Sequence, residues 1–320
     1  MAEIDQELLE VVAGSQAESD ENAITNAGNA VNIDPKSHVY ARTLHPTNLV
    51  LSADDLAEFC ELIESANDRA RKLEFASIDL ARFESAEQAK VFLEEQMRVE
   101  HTILVRSGDE ITAVGIPDKS RGDYPDDLET FYISNGSFAK KQLGTSPLNC
   151  VDVFIAFDRP PLTMDLITLP SNPTENRSVI NVYGKDEDWV ISTANRLESF
   201  FKKRRALRPV IHGSGAYDYF TYLAFLPLLM LAYAKWPTPL SKWLAEQDLF
   251  LNIFASIYFL LLSLLAGRFL FQYFRWLFPP MEYFKGSRVG AMLHRAVVGM
   301  VLASFALAAG YDVLKYVFGF

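Results

Sequence analysis

LFLNIFASIYFLLLSLLAG, residues Leu249 to Gly267, carries no charged side chain. A hydrocarbon core about 30 Å thick takes about 20 apolar residues of helix to cross, so this run has the length and composition of a membrane span. Two further apolar stretches flank it. YFTYLAFLPLLMLAYAKW, Tyr219 to Trp236, precedes it with Pro227 near its middle. It spans if Lys235 snorkels and Tyr219 and Trp236 sit at the interfaces. The third is apolar from Ala296 to Tyr311, and Asp312 and Lys315 interrupt its end. The sequence therefore predicts a helical membrane region of about three spans, near residues 219–236, 249–271 and 296–318.

Basic residues fall unevenly around these stretches. Lys202, Lys203, Arg204, Arg205 and Arg208 precede the first; only Lys235 and Lys242 separate the first from the second. Arg268, Arg275, Lys285, Arg288 and Arg295 lie between the second and third, and Lys315 lies near the end. Positively charged flanks stay on the cytoplasmic side. The expected topology is a multi-pass protein of the cell (inner or plasma) membrane, with a cytoplasmic N-terminus and an outside C-terminus. Nothing at the N-terminus resembles a signal peptide, since the first 35 residues hold no Lys or Arg and no apolar core. Cys60 and Cys150 suit a reducing compartment. The sequons at Asn135 and Asn176 then read as chance matches.

Three regions follow. Residues 1–35 carry eight acids, no bases and no aromatic side chain, and read as a disordered acidic arm. Residues 36–208 read as a cytosolic α+β domain, and 209–320 as the membrane domain. Residues 1–217 hold 22 Lys and Arg against 36 Asp and Glu. So acidic a soluble part excludes general nucleic-acid binding, whose affinity rests on phosphate neutralisation. The KKRR run sits at the membrane edge, where anionic lipid is the simpler partner.

Within the domain, HVYARTLH alternates as a strand. Ser52 is placed to N-cap a helix, with Asp54 and Asp55 in its first turn and Leu56, Phe59, Cys60 and Ile63 at helical spacing. LEFASIDLARF, residues 73–83, reads as a strand. Ser85 and Gln88 have capping-box spacing and start a second helix. VEHTILVRS and EITAVGI pair as a hairpin across Gly108-Asp109. TFYIS, CVDVFIAFD and SVINVYG follow as strands, and a last helix starts near Asp186. Consecutive strands with short turns predict a mostly antiparallel sheet with about three helices on one face. The loop DRPPLTMDLITLPSNPTENRS, residues 158–178, is long enough to be a contact surface.

Chemistry is sparsely marked. His38, His45, His101, His212 and His294 form no HxxxH or HxH pair, and there is no CxxC, GxxxxGK[ST], GxGxxG or GxSxG. Cys150 lies near Asp152 without a nearby His, and Asp118, Asp123, Asp126 and Asp127 form an acidic loop without EF-hand spacing. No cofactor, no metal and no catalytic residue is expected from these patterns.

The spans carry more signal. Asn252, Ser256, Ser263 and Gly267 share one stripe, and Gly299, Ala303, Ala306 and Gly310 another. Small residues at such spacing let helices approach closely, which predicts packing of these two spans on each other or self-association of protomers. FLFQYFRWLFPPMEYFKGSR mixes six aromatics before Pro279 with flanking bases, and reads as a helix leaving the membrane to lie on its surface. The expected function is a membrane protein with a cytoplasmic ligand- or partner-binding domain, a sensor or scaffold. The alternatives are an oligomerising, membrane-disrupting effector triggered through that domain, and a membrane-tethered enzyme. The partners expected are the lipid bilayer, a protein partner or a second copy.

Overall fold

The computed structural model describes residues 38–119, 122–162, 171–206, 208–235, 246, 248–286 and 289–318. The acidic arm, the centre of the 158–178 loop and most of the 237–248 connection lie outside these residues.

The domain is an α+β fold built on a six-stranded sheet. Strands β1 (Tyr40–Leu44), β3 (Glu100–Val105), β4 (Glu110–Val114), β5 (Leu128–Ser134), β6 (Cys150–Ala156) and β7 (Val179–Gly184) run in the order β1-β7-β6-β5-β3-β4. Every neighbouring pair is antiparallel. The β3–β4 hairpin turns at Gly108, whose φ of 93° lies in the left-handed region. Helix α1 (Ala53–Ser77) is held at its start by a full capping box. The Ser52 hydroxyl accepts from the Asp55 amide, and the Asp55 carboxylate accepts from the Ser52 amide. After α2 (Ala86–Gln96) and α3 (Ser137–Leu143), helix α4 (Glu187–Lys203) starts with Asp186 as N-cap.

Leu56, Phe59 and Ile63 of α1 and Trp189 and Leu197 of α4 bury against Ile103, Phe131, Ile133, Val153 and Val182 of the sheet. Alternation along each strand sends these apolar residues to the helical side. The other side carries a polar row in register, Glu100–Ser134–Asp152–Asn181–Thr43 across five strands.

Residues 73–83 correct the sequence reading. They continue α1 to Ser77, and Leu80–Arg82 form a 3₁₀ turn, not a strand. Ala66, Ala70 and Glu74 lie one turn apart on the buried face, so the helical face runs on. Glu74 conceals it: its buried carboxylate accepts from the amide and side chain of Asn149 at 2.8 and 3.3 Å. A buried acid breaks the apolar period while keeping the helix docked.

The apolar stretches differ from three simple spans. A short helix α5 (Pro209–His212) precedes the first, which is one helical run made of α6 (Ala216–Tyr219), a π-helical turn at Phe220–Phe225 and α7 (Leu226–Lys235). The second is one helix, α8 (Leu249–Leu277). The third is α9 (Val289–Phe318). Among the described residues only α8 is a helix long and apolar enough to cross a membrane, with a mean hydropathy of 2.3. Of the three expected spans, one is shown among the described residues as a qualifying helix.

Candidate functional site

The segment after α8 does not lie free on a surface. Phe278, Pro279 and Pro280 end the helix, because proline lacks the amide a further turn needs. Residues Met281–Phe284 then form β8, which pairs in parallel with β2 (Leu49–Ser52). Met281 is 1% exposed and belongs to the domain's own core. Tyr283 packs on Phe157 at the end of β6, with ring centroids 5.6 Å apart. On the other flank of β2, the Ala206 amide donates to the Asn48 carbonyl at 2.7 Å. The chain entering the apolar helices and the chain returning from α8 therefore clasp the same short strand.

A charged bridge closes this junction. Glu282 sits between two arginines. Arg208 Nη2 donates to one carboxylate oxygen, and Arg295 Nη2 donates to the other at 2.8 Å. Arg208 also caps the Pro279 carbonyl, and Arg295 Nε donates to the Leu277 carbonyl at 3.0 Å. These are carbonyls that the end of α8 leaves without helical partners. Burial alone would raise the Glu282 carboxyl, but the hydrogen bonds and charge of Arg295 and Arg208 outweigh it and hold it below the ordinary carboxylate range.

His212 forms the second tie. Its Nε2 donates to the Phe278 carbonyl at 2.5 Å, which assigns the proton to Nε2; Nδ1 then accepts from the Thr174 hydroxyl at 2.8 Å. Both nitrogens are satisfied in the neutral ring. Burial pushes the imidazole down to about 4, and the charges of Arg275 and Arg208 act the same way. Arg275 Nε and Nη2 donate to the carbonyls of Ile211 and Asn172 at 3.1 and 3.0 Å. Gly215 donates to the Ser171 carbonyl at 2.9 Å, and the Ser171 hydroxyl donates to Asp218 at 2.7 Å. Gly213 and Gly215, which invite a hinge, are thus strapped by the end of the long loop.

The basic cluster read at the membrane edge divides. Arg208 is internal. Arg204 turns onto the domain, bonding Asp55 at 2.5 Å and Glu58, with its guanidinium 3.7 Å from the Phe200 ring. Lys202, Lys203 and Arg205 are exposed, and Lys202 pairs with Glu198 at 3.0 Å.

The small-residue stripes also divide. Ser263 and Gly267 are buried, and a Cβ built on Gly267 would lie 2.6 Å from the Phe225 ring. That close approach joins α8 to the first apolar stretch. Ser256 donates to Asn252 one turn earlier in the same helix at 3.3 Å. Among the described residues, a Cβ built on Gly299 or Gly310 of α9 would meet nothing within 4 Å. The side chains of Ala303 and Ala306 fall outside the described residues. α8 and α9 touch where the C-terminal end of α8 meets the N-terminal end of α9: Tyr273 and His294 are hydrogen-bonded at 2.6 Å.

His101, Cys150 and Asp152 each have defined contacts within the domain. His101 Nδ1 is 2.7 Å from the Gly115 carbonyl. Cys150 is buried and its thiol is pushed well above its ordinary value, so the nucleophilic thiolate is suppressed. Asp152 accepts from Ser134 at 2.5 Å and Tyr183 at 3.2 Å, and burial raises its carboxyl against those bonds. Among the described residues no group of three His, Cys, Asp or Glu side chains is arranged to hold a metal ion. Sequence reasoning missed Glu282, because a lone acid in an aromatic run has no local signature. The signal within reach was its place just after two prolines, as the one acid among the five bases from Arg268 to Arg295. Comparisons with protein families, with characterised proteins and with solved structures find no match to this chain.

Proposed function

We propose that this chain is a multi-pass protein of the cell membrane whose α+β domain, on the cytoplasmic side, binds a ligand or partner and passes that event to the apolar helices. The observation that carries the reading is the continuity of α8 with β8. Phe250, Ile253, Phe254, Ile257, Tyr258 and Leu261, which share one face of α8, are all at least half exposed, and Leu251, Leu260 and Leu262 are exposed on its other faces. Such a surface needs a lipid environment. The same chain then enters the domain core through Met281. Displacement of the domain is thereby transferred to the helix through a strand pair, a buried ion bridge and a histidine tie.

Cysteine labelling in intact cells tests the placement. With a membrane-impermeant maleimide, Ser107→Cys is expected to stay unlabelled and Ser241→Cys to label. The reverse pattern, or release of the chain from membranes by alkali, refutes it. Crosslinking in detergent tests the binding role; a monodisperse protein with no partner and its own turnover refutes that part.

One observation favours the alternative, an oligomerising membrane-disrupting effector. Among the described residues nothing stands within 4 Å of a Cβ built on Gly299 or Gly310 of α9, which is space a second copy would use. Induced expression with a potential-sensitive dye separates the two readings, since depolarisation is expected of the effector alone.

A further inference from the structure

The strand ends of the sheet nearest β8 carry a cleft of about 420 Å³. It is built where strands end together: Arg106 follows β3, Glu129 is the second residue of β5, Asp158 and Arg159 follow β6, and Arg177 precedes β7. A smaller recess of about 170 Å³ adjoins it, sharing Arg106, Phe157 and Arg159 and reaching Pro279 and Tyr283. Backbone pairing fixes this clustering. The Arg106 amide donates to the Asp127 carbonyl, and the Phe157 amide to that of Glu129.

The charges in the cleft are not balanced locally. Arg177 holds Asp158 through Nε, at 2.9 Å, and Nη2. Glu282 is already held by Arg208 and Arg295, Asp126 faces Lys285, and Glu129 has an interaction of its own. Asp127 is exposed to solvent. Arg106 and Arg159 make no side-chain hydrogen bond or ion pair among the described residues. Arg159 instead lies over Trp276 of α8, its guanidinium carbon 4.9 Å from the ring centroid. Partial desolvation and then the like charge of Arg106 lower its proton affinity. Both guanidinium groups line the same cleft, where an oxyanion with several acceptor oxygens would satisfy their donors.

We infer that the cleft between these strand ends and the α8–β8 turn, lined by Arg106, Arg159 and Arg177, binds a phosphate group. The chemistry is shared by a free phosphate compound and by the headgroup of an anionic phospholipid. Trp276 lies on the last turn of α8, so the cleft stands where either could reach it. Occupancy would add charge beside the Arg208–Glu282–Arg295 bridge.

The test uses the full chain in phosphatidylcholine nanodiscs and follows thermal unfolding. One arm adds inorganic pyrophosphate in solution; the other incorporates phosphatidic acid in the discs. Ligand at a hundredfold excess over its Kd is expected to raise the melting temperature by about 5 °C or more. Arg106→Ala or Arg159→Ala is expected to weaken binding about 10- to 100-fold. Arg159→Lys, which keeps the charge and loses the guanidinium, should fall between. A rise with pyrophosphate assigns a soluble ligand, and a rise with phosphatidic acid alone assigns a lipid headgroup. No rise in either arm, or an equal rise in the Arg106→Ala/Arg159→Ala protein, overturns the inference. Both arginines are exposed, so the variants should melt like the parent without ligand, and matching ligand-free melts secure that comparison.

Discussion

Glu282→Ala tests the junction most directly. The three side chains of the bridge are nearly excluded from solvent: Arg208 is 9%, Glu282 11% and Arg295 14% exposed. Screening by water is therefore weak, and removing the shared carboxylate leaves two buried cations facing each other. Breaking a buried ion pair from one side costs about 3–5 kcal/mol, and some of this is recovered because both arginines keep their bonds to the Pro279 and Leu277 carbonyls. We expect a loss of about 3 kcal/mol, or about 6–12 °C in melting temperature for a domain of this size. Glu282→Gln keeps the shape and one acceptor, and should lose about half as much. The assay is thermal unfolding of the full chain in nanodiscs, with limited proteolysis near Gly213 as a second readout. The effect should persist at high salt, unlike that of a surface pair. Arg208→Met with Glu282→Leu should recover part of the loss, since a packed apolar pair can replace buried ions. A Glu282→Ala protein that melts with the parent and cleaves no faster would refute the bridge as a mechanical link.

The pH dependence of the junction has a defined sign. His212 is lowered from 6.5 to about 4, so the unfolded chain binds a proton there that the folded chain does not. Stability should thus fall as pH drops from 6.5 to 4, by at most about 3 kcal/mol, and His212→Gln should flatten melting curves across that window. Glu282 is also depressed, but its contribution is lost only below its unfolded value near 4.5, as pH falls toward the folded value. Gly267→Ala should destabilise the helix pair by about 1–3 kcal/mol because the new methyl collides with Phe225, whereas Gly299→Ala meets open space and should leave the monomer's melt unchanged. Gly299→Leu should reduce crosslinked oligomers only if α9 self-associates. Ser52→Ala removes the cap of α1 and should cost about 1–2 kcal/mol in denaturant unfolding.

Local rules carried the sequence reading far inside the domain. Ser52, Ser85 and Asp186 each cap the helix their positions predict. The Gly108 turn and the alternation of five strands led to the antiparallel sheet. Local rules failed where the decisive partner is distant. Glu74 looked like a break in the helical face until Asn149 supplied its hydrogen bonds. Helix α3, SFAKKQL, is short and follows Gly136 without a side-chain cap, so nothing marked its start. Above all, β2 and β8 are four residues each, and their parallel pairing joins Leu49 to Met281. A four-residue strand has too few alternations to announce itself, and its partner lies beyond two apolar stretches. MEYF therefore read as an aromatic surface anchor.

The same pairing bears on the proposed topology. Counting bases placed residues 202–208 and 268–295 on one side of the membrane, as if both faced anionic lipid. In the fold, Arg208, Arg275 and Arg295 point inward, to Glu282 and to backbone carbonyls. Their charge acts within the protein, so the count cannot be argued from lipid attraction at these three positions. A stricter condition replaces it. One carboxylate can hold Arg208 and Arg295 together only if the chain between them leaves the domain and returns to the same face. In the proposed membrane setting, that requires the segment from Gly213 to Arg275 to cross an even number of times, or not at all. The single continuous helix α8 accounts for one crossing. The helical stretch from Ala216 to Lys235, joined to α8 at the Gly267–Phe225 contact, must then supply the other. Its π-helical turn at Phe220–Phe225 widens the helix where Phe225 reaches Gly267, so the irregularity that weakens this stretch as a span also builds its contact with α8.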